Sequence, residues 1–509
     1  MSEIIEAKLA PHVRKIAELA EDAGLDFYPV EFILVSSEEM SALAAFGGFP
    51  QRYPHYSFGQ EYESVQQRYR WGRSRIYEMV INSDPSYAYL MEGNLDIDQK
   101  LVMAHVYGHV DFFKNNQWFQ HTNRKSVKMM ADHAVRVSRI IDRVGEEAVE
   151  KWIDLCLCVQ NFIDPYAPYR AGFEDRLAVE DNTGSLPDIR TTEFDPHRFH
   201  DDDPDLQAYM NPSSYICEQR EAYVAAIRKE TKFPPEPERD ILGFLIAHGQ
   251  MKDWQRHILA MIREESYYFY PQGMTKIMNE GWAVTWHTTL MDEYAEGNEA
   301  VAYASHHSGV VHWPQSSLNV YALGWKLFQH IKMRWDKGRF GKEWEECTDR
   351  VKRKEWDTGA MKGMEKIFEV RRTHNDAQFL QEFIDREFVE EHLMFIYSER
   401  RSDGEIVLET NDWRDIRDAL VSSITFRGQP VLRVIDGNHD NRRELLIEQA
   451  MDLGDSEVHR SSAVDVISAL AQMWGRKVLV RTATWSEEAS PVHQDELVDF
   501  IEAAMHLVD

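Results

Sequence analysis

Apolar positions along most of the chain recur at intervals of three and four residues, the period of a helix that buries one face. Leu9, Val13, Ile16 and Leu19 form such a stripe, and Gly24 follows where the predicted helix should stop. The helical pattern returns from about residue 95 to 180. Asp181 to Asp205 is rich in Asp, Pro and Thr with few large apolar residues, which predicts a surface loop. Lys232 to Pro237, with its Phe-Pro-Pro-Glu-Pro core, is a second break. Asp240 to about His374 is again helical and crowded with Trp, Tyr, Phe and Met, as one large core requires. The texture changes after about Arg386. Leu393–Ser398 and Glu405–Thr410 flank an Asp403-Gly404 turn, and Pro430–Ile435 and Lys477–Thr482 read as further short strands between helical segments. The pattern therefore predicts a mostly helical region over 1–385 and a smaller α+β domain over 386–509.

Composition narrows the classes of function. With 509 residues, 43% of them hydrophobic, the chain can bury a large core. It carries 57 Lys and Arg against 86 Asp and Glu, a formal charge of -29, which is the wrong sign for a surface that neutralises phosphates. No nucleic-acid partner is expected. The first residues lack the basic and apolar regions of a secretory signal, and no apolar run approaches membrane-spanning length, so a cytoplasmic location with no membrane span is the expectation. Cys156, Cys158, Cys217 and Cys347 are too few and too irregularly placed for a disulfide framework.

The chemistry concentrates in two helical segments. Asp96 and Gln99 have the spacing of a capping box, and in the stretch they open Leu101, His105, Gly108, His109 and Phe112 share one helical face. Imidazoles four residues apart on a helix have Cβ atoms roughly 5–6 Å apart, near enough to give one metal ion a nitrogen each. By itself the pair discriminates little. A second segment strengthens it: Met278 to Ala283 reads Met-Asn-Glu-Gly-Trp-Ala, similar to the Asn-Glu-Gly-x-Ala helix from which zinc peptidases of the Glu-ligand type deliver their third ligand. Glu280 would then complete a His-His-Glu zinc site with one position open for water or substrate. His287, two helical turns further on, is a candidate fourth ligand or a partner of one.

The pattern departs from the HExxH peptidases at Val106, where the general base should stand. Glu264 and Glu265 are candidates for the missing carboxylate, and Tyr107 is a candidate donor to an oxyanion. His306-His307 and His374-Asn375-Asp376 can line a site or cap helices. Asp436-Gly437-Asn438-His439-Asp440 carries a string seen in metallophosphoesterases, but its companion loops are missing from the sequence, and it reads as a tight turn.

Several long strings share one resemblance. They are Ile76 to Asn82 (IYEMVIN), Tyr87 to Asn94 (YAYLMEGN), His105 to Phe119 (HVYGHVDFFKNNQWF), Ile262 to Ala283 (IREESYYFYPQGMTKIMNEGWA) and His374 to Phe379 (HNDAQF). Together they resemble the SpoVR family, the stage V sporulation protein R-like proteins, from about residue 10 to the C-terminus. The resemblance implies a role in spore cortex formation, or in a stress or stationary-phase response shared with bacteria that make no spores. It also implies a PrkA-type kinase system as a partner, and the HVxGH form in place of HExGH. Two hypotheses follow. One is a sporulation- or stress-associated regulatory protein that keeps a zincin-like zinc site at His105, His109 and Glu280. The other is a zinc-dependent hydrolase of peptide or amide bonds, with peptidoglycan precursors as its substrate class.

Overall fold

The structure, a computed structural model, describes residues 9–70, 78–170, 233–313, 318–399, 406–451 and 458–482, together with a few short segments elsewhere. The surface loop expected over 181–205 lies outside the described residues. The chain forms two compact units, one of residues 1–150 and 267–428, the other of residues 151–266 and 429–509. This division cuts across the boundary expected at 385/386. The helix Trp413–Ile424 buries Ile416 in the core of the first unit, with Trp413, Leu420 and Val421 packed against it, so the chain continues to build that core well past Arg386.

In the first unit, helix α1 (Ala10–Asp22) is the predicted N-terminal helix, with Ile16 and Leu19 buried and Gly24 at a φ of +93° just beyond its end. A sheet follows that the helical pattern did not predict. It contains β1 (Val30–Val35), β2 (Glu78–Ile81) and β3 (Ser86–Met91), with β1 and β3 parallel in the register Val30 to Ser86 through Val35 to Met91. A two-residue strand, Glu3–Ile4, borders β1, and β2 lies antiparallel to β3 at the other edge of this four-stranded sheet. Val, Ile, Tyr and Phe dominate these strands, as a pleated, half-buried surface favours.

Helix α2 (Asp96–Asn115) runs through the centre of the unit, and every residue from Ile97 to Phe113 is buried. A helix enclosed on all sides needs neighbours on all sides. These are chiefly α1, α3 (Lys276–Tyr294) and α4 (Asn298–Val310); α5 (Val320–Asp336) packs against α3, and α6 (Gly363–Thr373) against both α5 and α2. Its start differs from the sequence expectation. Leu95 is the N-cap and makes no side-chain cap bond, while Gln99 donates instead to the Met91 carbonyl at 2.8 Å, tying the helix to the end of β3.

Two glycine contacts set the helix spacing. A Cβ on Gly108 would lie 2.8 Å from the Ala283 Cα, so α2 and α3 touch backbone to backbone. On another side of α3, a Cβ on Gly281 would lie 2.3 Å from the backbone of Gly324 in α5. Glycine costs about 1 kcal/mol in a helix interior relative to alanine, and here the close approach explains its presence.

In the second unit, Leu432–His439 and Glu444–Gln449 form an antiparallel hairpin. The helix Arg460–Trp474 then leads to Val478–Thr482, which pairs in parallel with Glu444–Gln449, and Asp499–Glu502 borders it. The string at 436–440 sits at the tip of that hairpin. The Asp436 carboxylate accepts from the Asn438 N–H at 2.8 Å, the Asn438 side chain accepts from the Arg443 N–H at 3.1 Å, and Asp440, Asn441 and Arg443 have positive φ. This is turn chemistry, as the sequence suggests. The predicted pair around Asp403-Gly404 belongs to the first unit, as antiparallel strands Ile396–Glu399 and Ile406–Thr410, with the turn itself outside the described residues. No described helix is long and apolar enough to cross a membrane.

The Gly281–Gly324 contact gives a stability prediction. Gly281→Ala should destabilise the protein by about 3 kcal/mol or more, because the overpacked atom is backbone that cannot rotate away. Gly59→Ala, in the helix Tyr56–Arg70 with nothing within 4 Å of its Cβ position, should be neutral or mildly stabilising. Denaturant unfolding of the two variants checks both.

Candidate metal centre

The four-residue spacing of His105 and His109 on α2 places their rings with centroids 4.5 Å apart and planes at 90°. Glu280 reaches toward both from α3. Its Oε2 lies 3.5 Å from the His105 Nε2 and 3.5 Å from the His109 Nε2, and the three ligand atoms all fall within 4.8 Å of one another. That oxygen is buried and has no conventional hydrogen-bond partner. A desolvated carboxylate oxygen without a donor is costly, and two imidazole nitrogens equally far from it leave a place between them suited to a cation. The donor set of two imidazoles and a carboxylate fits zinc with an open position.

The far sides of both rings are held by neutral groups. The His109 Nδ1 lies 3.0 Å from the Asn279 side-chain oxygen, which accepts its proton and turns the Nε2 lone pair toward Glu280. The His105 Nδ1 lies 3.0 Å from the Nδ1 of His287, whose Nε2 is in turn 3.1 Å from the Nδ1 of His307 on α4. His287 therefore stands behind His105 and outside the three-residue cluster. Its ring is fully buried, and burial together with the neighbouring His105 and His307 pulls its pKa well below the usual value. Burial and His105 likewise lower His109. Burial pushes Glu280 upward, but His105 and His109 outweigh it and hold the carboxyl below its ordinary value.

Two residues at the centre carried no functional signal in the sequence. Tyr321, near the start of α5, lies within electrostatic reach of the Glu280 carboxylate, and its ring centroid is 6.3 Å from that of His105. The negative charge of Glu280, then burial, pushes its pKa up. Glu78, at the start of the edge strand β2, lies within electrostatic reach of His109, Glu280 and Tyr321. Burial, reinforced by Glu280 and opposed by His109, pushes it up to about 7. The only hint in the sequence is a lone carboxylate leading the apolar run Met79-Val80-Ile81.

The expected catalytic residues lie elsewhere. Tyr107 points to the other side of α2, where its ring packs on Phe27 and Phe32 and its hydroxyl donates to the Val13 carbonyl at 3.4 Å. Two positions from His105 on a helix is about 200° of rotation, so Tyr107 and the ligands cannot share a face. Glu264 and Glu265 fall in the second unit, on the helix Asp253–Met274, whereas the cluster belongs to the first. Glu265 is buried there, and neither residue is among the groups gathered around His105, His109 and Glu280. Val106 is fully buried in the hydrophobic core.

His306 and the 374–376 segment make contacts away from the three-residue cluster. His306 pairs with Asp98 at 2.8 Å. Asn375 caps its own helix, α7 (Asp376–Phe383), in a capping box with Gln378, while Asp376 accepts from the Ile277 and Met278 N–H groups, each at 2.8 Å, and so caps α3. The carboxylate that anchors the Glu280 helix thus comes from a segment nearly a hundred residues away.

Comparison with known proteins agrees with the resemblance. Residues 5–429 match the family described as SpoVR like protein. The chain belongs to the SpoVR family. It is 32% identical over 342 residues to the protein named "Uncharacterized protein YcgB" of Escherichia coli (strain K12), an alignment covering 63% of this chain and 62% of that relative. The SpoVR match takes in all of the cluster residues and ends near the close of the first compact unit. No solved structure matches the chain.

Burial pushes Asp376 up to about 7, against its bonds to the two helix N–H groups. A carboxyl raised in the folded state stabilises it fully below the unfolded value of about 4, and that contribution is gone above about pH 7. Metal-free Asp376→Asn should therefore lose less stability than the parent between pH 4 and 7, seen as a flatter pH dependence of the denaturation midpoint. Asp376→Ala, which leaves the cap empty, should cost about 1–2 kcal/mol.

Proposed function

We propose that this SpoVR-family protein is a metal-binding protein in which His105, His109 and Glu280 hold a divalent cation, zinc by preference, in a zincin-like arrangement that lacks the usual HExxH glutamate. The observation that carries the reading is the buried Glu280 Oε2, without a hydrogen-bond partner and 3.5 Å from both Nε2 atoms. His287 supports the site from behind His105. The family resemblance supplies the cellular setting, spore cortex formation or stationary-phase regulation, with a PrkA-type kinase system as the partner class.

A second reading, hydrolysis of peptide or amide bonds, is favoured by Glu78 and Tyr321. A bound zinc would polarise a carbonyl and lower the pKa of a water. Glu78, raised to about 7, is suited to accept a proton near neutral pH. The Tyr321 hydroxyl can donate to an oxyanion. These two residues take the roles that the sequence assigned to Glu264, Glu265 and Tyr107.

Elemental analysis of the purified protein tests the metal reading. One equivalent of zinc in the parent, lost in His109→Ala and in Glu280→Ala, is the expected result. Two imidazoles and a carboxylate also suit iron(II), so one equivalent of iron would keep the site and change the chemistry. No bound metal in a protein purified without chelators would overturn the reading. Glu78→Gln should retain the metal, and with a cleavable peptide or muropeptide substrate it should lower turnover by about 100-fold or more.

A further inference from the structure

The imidazoles of His105, His287 and His307 form a chain in which each contact, 3.0 Å and 3.1 Å, needs one N–H and one lone pair. His287 is fully buried in the middle, and His307 at the outer end is partly exposed on α4. Three neutral rings in such a chain have two self-consistent arrangements, running in opposite directions. In one, the His307 Nδ1 donates to His287, the His287 Nδ1 donates to His105, and the His105 Nε2 keeps a proton that faces Glu280. In the other, the His105 Nδ1 donates to His287, the His287 Nε2 donates to His307, and the His307 Nε2 carries its proton outward. Only the second leaves a lone pair on the His105 Nε2.

We propose that His287 and His307 are positioning residues that lock His105 in its metal-binding tautomer, and that loading the cluster with zinc reverses the direction of the whole chain. The inference rests on the metal reading above. No ring changes its net charge. When the metal takes the His105 Nε2 lone pair, that nitrogen's proton leaves to solvent. One proton passes from the His287 Nδ1 to the His105 Nδ1, one passes from the His307 Nδ1 to the His287 Nε2, and one enters from water at the His307 Nε2. Occupancy of a buried centre is thereby written into the hydrogen bonding of a ring at the surface of α4, which also contacts Tyr303 and Trp325 at centroid distances of 5.8 and 5.3 Å. A neutral acceptor behind His105, rather than a carboxylate, is what permits this: a carboxylate would accept in either state and fix the direction permanently.

The test uses the full-length protein, zinc as the probe, and a chromophoric chelator as competitor. His287→Leu removes the acceptor behind His105 and should weaken zinc binding by about 10- to 100-fold. His287→Gln, whose side-chain oxygen can accept from the His105 Nδ1, should recover most of that loss, which a merely space-filling role would not allow. Long-range proton–nitrogen NMR of histidine-labelled protein should show the zinc-loaded form with His287 and His307 both protonated at Nε2. In His307→Leu, the variant at the partly exposed end and the safer one for folding, the loaded His287 should appear as a mixture of tautomers. Parent-like zinc affinity in folded His287→Leu, or a loaded His287 protonated at Nδ1, overturns the lock while the metal site stands. Failure of the parent to bind zinc or iron(II) at all overturns both.

Discussion

The close approach of α3 to its two neighbours is the constraint on which the candidate centre depends. Gly108 meets Ala283 and Gly281 meets Gly324 at backbone distance, so helices that elsewhere sit 8–10 Å apart are drawn closer on both sides of the segment that carries Glu280. Glu280 adjoins Gly281, and His109 adjoins Gly108, so the residues that set the spacing are the chain neighbours of residues that use it. A side chain at any of these glycines would push Glu280 away from the histidines. The Asp376 cap holds the same helix by its N-terminal end, which leaves α3 little freedom to slide.

Buried polar groups complete the frame around the cluster. Asp111, two positions after His109, is fully buried and accepts from the Trp282 indole at 2.8 Å and from the Asp26 N–H at 2.9 Å, with the Arg371 guanidinium 3.5 Å away. Burial still pushes its pKa up to about 6. Asn116 follows at the end of α2, donating to the carbonyls of Arg371 and His374. These bonds join α2, α3, α6 and the segment between α1 and β1 through groups that cannot be rearranged without leaving a donor or acceptor unpaired, which is expensive in a buried setting. Rigidity of this kind is what a metal site needs, because its ligands must stay in place before the ion arrives.

The meeting of His105, His109 and Glu280 was legible in the sequence because helix periodicity is a local rule. His105 and His109 share a face by spacing alone, and Asn-Glu-Gly marks a second helix with a carboxylate beside a glycine. Long-range partners obey no such rule. Tyr107 is adjacent in sequence to the histidines and faces the opposite way, while Tyr321, more than two hundred residues on, faces them because α5 packs against α3 at Gly324. Glu264 and Glu265 lie in the string that leads to Glu280, yet they belong to another compact unit. Glu78 reaches the centre only through the sheet, and the sheet was missed because its strands are short apolar runs that a search for helical stripes passes over. The change in texture near Arg386 marks a change of secondary structure, and the helix Trp413–Ile424 beyond it still packs on the core of the first unit.

Val106 shows why the departure from HExxH need not empty the site of function. A residue one position beyond His105 is rotated by about 100° around the helix, and here that direction leads into the hydrophobic core, where Val106 is wholly enclosed. A glutamate at this position would be a buried charge without a partner, a cost of several kcal/mol. Another carboxylate is carried by the edge strand, where Glu78 remains partly exposed and lies within electrostatic reach of His109 and Glu280. A divalent ion held by Glu280 leaves one positive charge, and an ionised Glu78 would balance it. The two ring partners, Asn279 and His287, add no charge of their own. Burial is what chiefly raises the pKa of Glu78, and the smaller contribution from Glu280 is the part that a cation at the centre would relieve.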